Sequence, residues 1–198
     1  MCRILSKKEL MKKITDEVLN CNKCELWLYR KNPVTGQGSL NAPIVFIGEA
    51  PGRNEDINGL PFVGSAGRIL DELLKENGIS RKEVYITNIV KCRPPRNRAP
   101  KTSEVKSCSH FLERQLRIIQ PKIVVTLGRH STAHILSEAG VEDDNISSVH
   151  GRKFTTELFG MKFTLIPVFH PAAALYNPKY KTALEKDFQI IKNEIEKL

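Results

Sequence analysis

No stretch of this chain stays apolar for the roughly 20 residues that a membrane-spanning helix needs. The opening residues, Met1-Cys2-Arg3-Ile4-Leu5-Ser6-Lys7-Lys8, also lack the apolar core of a signal peptide, so a cytoplasmic protein is expected. There is no G-x-x-x-x-G-K-S/T loop and no spaced G-x-G-x-x-G, which argues against the usual glycine-loop nucleotide sites. Internal repeats, low-complexity tracts and domain linkers are missing too. The 198 residues therefore read as a single domain spanning 1–198. Cysteine is scarce, with five in all. In a reducing compartment, cysteines at short spacing are better read as metal or catalytic groups than as disulfides.

Acidic residues are outnumbered, 22 against 31 Lys and Arg, for a net charge of +9. That balance favours a polyanionic partner, nucleic acid first, because neutralising phosphates releases counterions. A Lys- and Glu-rich surface of the heat-adapted kind is the plainer explanation. Hydrophobic residues at 40% and charged residues at 27% suit a soluble globular protein and exclude a mainly disordered one.

Four short runs are apolar almost without interruption: 43–48, 84–90, 122–128 and 163–168. Strands covered on both faces require this pattern. Helical stretches at about 65–77, 103–119 and 129–139 lie between them. The alternation predicts an α/β fold, a mostly parallel sheet with helices on both sides. Leu10, Met11, Ile14, Val18 and Leu19 predict a first helix over 7–20, and Tyr180, Leu184, Phe188, Ile191 and Ile195 a closing one over 179–197. Residues 140–162, with Asp143 and Asp144, read as a surface excursion with a hairpin around Lys153 to Met161. Ligands of such sheets bind beyond the carboxyl ends of the strands. Function is therefore expected at 48–56, 88–95, 128–130 and 169–175.

The chemistry-bearing residues fall in those places. Cys21 and Cys24 form a C-x-x-C pair, and Cys92 and Cys108 a second, wider pair; together they can supply four thiolates to zinc or to an iron–sulfur cluster. The wide second pair does not suit a zinc ribbon, which favours iron–sulfur. Cys2, near the terminus, reads as a bystander. The run Gly48-Glu49-Ala50-Pro51-Gly52-Arg53-Asn54-Glu55-Asp56, followed by Gly59-Leu60-Pro61-Phe62-Val63-Gly64, combines close backbone approach with acidic and aromatic groups; a helix starting near Ser65 offers free N–H groups. Asn88, at a strand end, can donate and accept at once, as reading a base edge demands. Arg93, Arg96 and Arg98 suit a phosphate-facing rim. His170 follows the last strand on the crevice side.

Taken together, these motifs resemble the family-four uracil-DNA glycosylases, the thermostable iron–sulfur branch of that superfamily, from Cys21 through His170-Pro171. The resemblance implies a three-layer αβα sandwich around a four-stranded mostly parallel sheet. It assigns Cys21, Cys24, Cys92 and Cys108 to one [4Fe–4S] cluster held partly by the N-terminal segment. It implies hydrolysis of the N-glycosidic bond of flipped-out deoxyuridine in single- or double-stranded DNA, releasing free uracil. Phe62 would stack on the base, Asn88 would pair with its O4/N3 edge, and Glu55 would crowd C5 against thymine, with Gly48 and Ala50 lining the pocket. His170 would lie at uracil O2. Ala50 stands where the best-known branch has a water-orienting aspartate, which makes Glu49 the neighbouring candidate for that task. Ala174 stands where a base-replacing leucine is usual, with Leu175 and Tyr176 next to it. A replication clamp suits this class as a partner, but no clamp-binding motif is found; a monomer is expected. Two rival readings are a non-catalytic iron–sulfur or zinc module that binds a nucleotide, and a sister branch acting on hypoxanthine.

Overall fold

The computed structural model describes residues 5–141 and 145–198. Cys2, Asp143 and Asp144 lie outside them. Helix α1 (Lys7–Leu19) starts from a capping box in which Ser6 accepts from the Glu9 N–H and the Glu9 carboxylate accepts from the Ser6 N–H. Strands β1 (Gln37–Gly38) and β2 (Ile44–Gly48) follow, then α2 (Arg53–Asn58), α3 (Ser65–Glu76), β3 (Tyr85–Asn88), α4 (Thr102–Ile119), β4 (Ile123–Leu127) and α5 (Arg129–Glu138). The chain continues through α6 (Ile146–Val149), β5 (Phe154–Leu158), β6 (Met161–Val168) and α7 (Pro178–Ile195).

The sheet runs β1-β3-β2-β4-β6-β5. Its centre is the expected set of four parallel strands, paired β3–β2, β2–β4 and β4–β6. An antiparallel strand is added at each edge, making six rather than four. β1 is too short to show a period. The β5–β6 hairpin closes through Phe159 (φ 55°) and Gly160 (φ 71°), two left-handed residues as a type I′ turn requires. Phe159 tolerates that conformation while packing against the core.

Alternate strand residues serve opposite layers. Val45, Ile47, Val124 and Leu165 pack with α1, α4 and α5 through Ile14, Val18, Phe111, Leu116 and Ile135. Ile44, Phe46, Val125 and Ile166 pack with α3 and α7 through Leu70, Leu74, Leu184 and Phe188. Both faces are covered, and this is why the strands read as unbroken apolar runs. The α1 stripe is narrower than its sequence: Met11, Ile14 and Val18 are buried, whereas Leu10 and Leu19 are exposed. Among the described residues, no helix is long and apolar enough to cross a membrane.

The connections move outward in opposite directions from β2 and β4, because β2 leads to β3 on one side and β4 to β6 on the other. That is the topological switch point, beyond whose strand ends a crevice opens.

Candidate active site and thiol cluster

A cleft of about 550 Å³ lies at those strand ends. Its walls come from the loop after β2, the start of α3, the end of β3, the 94–98 loop and the turn after β6. Glu49, Ala50, Glu55, Phe62, Asn88, Arg98 and His170 all line it. Gly48 sits behind them: it is in register with Asn88 on the neighbouring strand, and a Cβ there would come within 2.8 Å of Phe62 Cζ.

Asn88 is 1% exposed, and its Oδ1 is the one buried side-chain oxygen or nitrogen without a hydrogen-bond partner among the described residues. Leaving an acceptor dry and unpaired costs about 1–3 kcal/mol, so such an atom in a cleft marks where a ligand donor belongs.

Phe62 is held in a left-handed conformation (φ 51°). Arg81 donates to the carbonyls of Pro61 and Phe62, and Glu55 Oε1 accepts from the N–H groups of Val63 (2.9 Å) and Gly64 (2.8 Å). Glu55 thus clamps the loop that presents Phe62, in addition to lining the cleft. The Phe62 and His170 rings are 5.9 Å apart.

His170 follows β6 and approaches Gly128 so closely that a Cβ on Gly128 would meet His170 Cβ at 2.9 Å; Gly128 also has φ +96°. Its Nδ1 accepts the Ala172 N–H at 3.2 Å, which leaves the proton of the neutral ring on Nε2. Burial pushes the imidazole down to about 4, against a small opposing pull from Glu55. The ring is therefore held neutral near pH 7, with its N–H at Nε2. Burial raises the half-buried Glu49 carboxyl, while His130 and Arg129 pull it down. Arg129 and His130 themselves are exposed beyond β4 and do not line the cleft.

The arginine rim divides. Arg98 forks onto Glu104 (2.7 and 2.8 Å), Arg93 donates to Asn97 Oδ1 (2.7 Å), and Arg96 has φ 56°. Ala174 and Leu175 lie in the short 3₁₀ turn Pro171–Leu175 outside the cleft lining, Leu175 exposed and Tyr176 at 88% exposure. Asn54, from the glycine-rich run, and Ser65, at the helix start, line the cleft too, as does Asn97, whose one signal in the sequence was its place between Arg96 and Arg98.

Cys21, Cys24, Cys92 and Cys108 are free thiols lining one small cavity with Val18, Leu26, Trp27 and Phe111. Burial raises Cys24 and Cys92 and pushes Cys108 up to about 11. Arg30 Nη1 donates to Cys92 Sγ (3.2 Å) and the Lys91 N–H to Cys108 Sγ (3.3 Å), contacts suited to thiolate ligands. Among the described residues, no three His, Cys, Asp or Glu side chains converge as one metal ion requires. Four thiols lining one cavity are the ligand type that zinc or an iron–sulfur cluster takes.

The uracil DNA glycosylase superfamily model matches residues 35–192. The chain is similar to the type-4 uracil-DNA glycosylase of Saccharolobus solfataricus, 50% identical over 92% of this chain and 85% of that one. It is similar as well to those of Archaeoglobus fulgidus (45% identical, 92% of each chain) and Thermotoga maritima (45%, 87% of this chain and 86% of that one). Matches of that extent, over a cleft already built at the switch point of the sheet, place the chain in the uracil-DNA glycosylase superfamily, in its type-4 branch.

Proposed function

We propose that the chain excises uracil from DNA, single- or double-stranded, by hydrolysing the bond between N1 of a flipped-out uracil and C1′ of its deoxyribose. The observation that carries this reading is the unpartnered Oδ1 of Asn88, deep in a cleft walled by Phe62 and His170. Uracil offers an N3–H to that oxygen and its O4 to the amide N–H. Cytosine, with an acceptor at N3 and an amine at C4, inverts the pattern. Phe62 supplies a face for stacking, and its rigid loop, clamped by Glu55, sets that face before the base arrives.

As the glycosidic bond breaks, the electron pair stays with the base and negative charge grows on O2 while the sugar becomes oxocarbenium-like. The neutral His170, with its proton on Nε2, donates toward that oxygen in a site drier than water. Water then adds to C1′, giving an abasic sugar and free uracil. Ala50 has no group to orient it, and Glu49 lines the same cleft. The basic rim at Arg93, Arg96 and Arg98 and the exposed Leu175 and Tyr176 would meet the flanking strand.

A [4Fe–4S] cluster on Cys21, Cys24, Cys92 and Cys108 would tie the segment after α1 to the loop after β3 and to α4, supplying a rigid cross-link. The protein would work as a cytoplasmic monomer in base excision repair. Incubation with a uracil-containing single-stranded oligonucleotide, followed by alkali, tests the reading: strand breakage at uracil is expected, and an intact strand would overturn it.

A further inference from the structure

Lys91 is 1% exposed, yet it is a cation inside an apolar layer. Its Nζ spends all three ammonium donors on neutral acceptors: the Asn88 carbonyl (2.7 Å), Thr87 Oγ1 (2.8 Å) and Gln115 Oε1 (2.7 Å). Its backbone is pinned at both ends, the N–H to Cys108 Sγ (3.3 Å) and the carbonyl from the Val34 N–H (2.7 Å). Cys108 and Gln115 lie on the same buried face of α4, so one helix holds this lysine by its main chain and by its tip. Gln115 is fastened in turn, its Nε2 donating to the Thr35 carbonyl (2.8 Å) and Tyr85 Oη (3.1 Å).

Burying an ammonium is expensive even with the Cys108 sulfur near enough to favour its charge, and a methionine or leucine of similar volume would fill the layer without that cost. A stability role therefore explains Lys91 poorly. What the ammonium does that an apolar side chain cannot is hold Asn88 and Thr87, the last residues of β3, from beneath. Asn88 also lines the cleft, and its side-chain oxygen is unpaired. We infer that Lys91 is a positioning residue, one that fixes the main chain of Asn88 and thereby the aim of its amide at the bound base. Through the Cys108 contact it also makes the thiol-bearing helix part of the base-reading device. The inference rests on the uracil-excision reading above.

The test measures single-turnover excision of uracil from an oligonucleotide, with enzyme in excess, for Lys91→Met alone and combined with Asn88→Ala. Rates are normalised to the fraction of enzyme that binds an abasic-site oligonucleotide, and iron per chain is recorded beside them. Lys91→Met is expected to slow excision by about tenfold or more where Asn88 is present, the effect of losing a charged hydrogen bond. In the Asn88→Ala background the same change should matter less than about twofold, with abasic-site binding and iron content unaltered. Equal losses in the two backgrounds, or no loss in either, would overturn the inference. If Lys91→Met does not fold, Gln115→Met removes one of its acceptors and should give a loss of about threefold that again vanishes with Asn88→Ala; persistence of that loss would be equally fatal. A wild-type protein that leaves uracil in place, or an Asn88→Ala protein as fast as wild type, condemns the uracil reading itself and not the role of Lys91.

Discussion

Gly48 and Asn88 stand side by side in register on β2 and β3, and the hydrogen that serves as the Gly48 side chain is what leaves room for the Asn88 amide and the Phe62 ring. Gly48→Ala would drive a methyl group into both. The expected result is a folded protein, destabilised by about 1–3 kcal/mol, whose uracil excision falls far more than its thermal stability. Thermal melting measured beside single-turnover rates checks this; an unimpaired rate would show that the two residues do not share a base pocket.

Asn88→Ala removes the amide proposed to pair with the O4/N3 edge of uracil. Excision of uracil should fall by several orders of magnitude, since a site built around hydrogen bonds discriminates strongly when they are lost. A retained rate would favour the sister reading in which hypoxanthine or another deaminated base is the substrate, and an oligonucleotide carrying that base would then be cut.

Phe62→Ala deletes the stacking face. Affinity for free uracil should weaken by about 1–3 kcal/mol, the usual size of base–aromatic stacking. Calorimetric titration with uracil that finds no change would remove Phe62 from the pocket.

His170→Ala should cost about 2.7–4 kcal/mol in transition-state stabilisation, a hundredfold to a thousandfold in rate, with little effect on DNA binding. The buried ring is neutral until about pH 4, whereas an ordinary histidine protonates near 6.5. The unfolded chain therefore takes up this proton first. Stability from His170 is full above about 6.5 and is lost as the pH falls from there toward 4. The His170 contribution to the rate should be flat between pH 6 and 8, so a rate that rises on acidification through pH 6.5 would make the ring a proton donor instead.

Cys108→Ser removes one of the two buried thiols of the four. Iron content and brown colour are expected to disappear with it, because a ligand must be a thiolate and metal binding must displace the proton that burial otherwise retains. Elemental analysis of the unmodified protein is the companion measurement. A colourless protein with stoichiometric zinc would replace the cluster by a different centre.

Much of this was legible in the chain. The parallel strands announce themselves as unbroken apolar runs because both of their faces are covered, and the helices as stripes of period 3.6 because one of theirs is. The gathering of Glu49, Asn88 and His170 at the carboxyl ends of β2, β3 and β6 follows from the same pattern, since a parallel sheet brings those ends to one edge. Local chemistry was silent about the rest. The two-residue β1 has no period to detect, and Phe159 does not advertise a left-handed turn. Nothing in the sequence marks Leu10 and Leu19 as exposed while Met11 is buried, because that depends on where α4 packs.

Residue types and spacing alone determined the layers of the fold, the four thiols and the strand ends that carry the site. Only the tertiary structure decided that the Asn88 oxygen would be left without a partner, that the His170 proton would sit on Nε2, and that Lys91 would be buried against Gln115. Each of these depends on atoms brought together from distant parts of the chain. Periodicity records which face of an element is covered; hydrogen-bond satisfaction depends on what covers it.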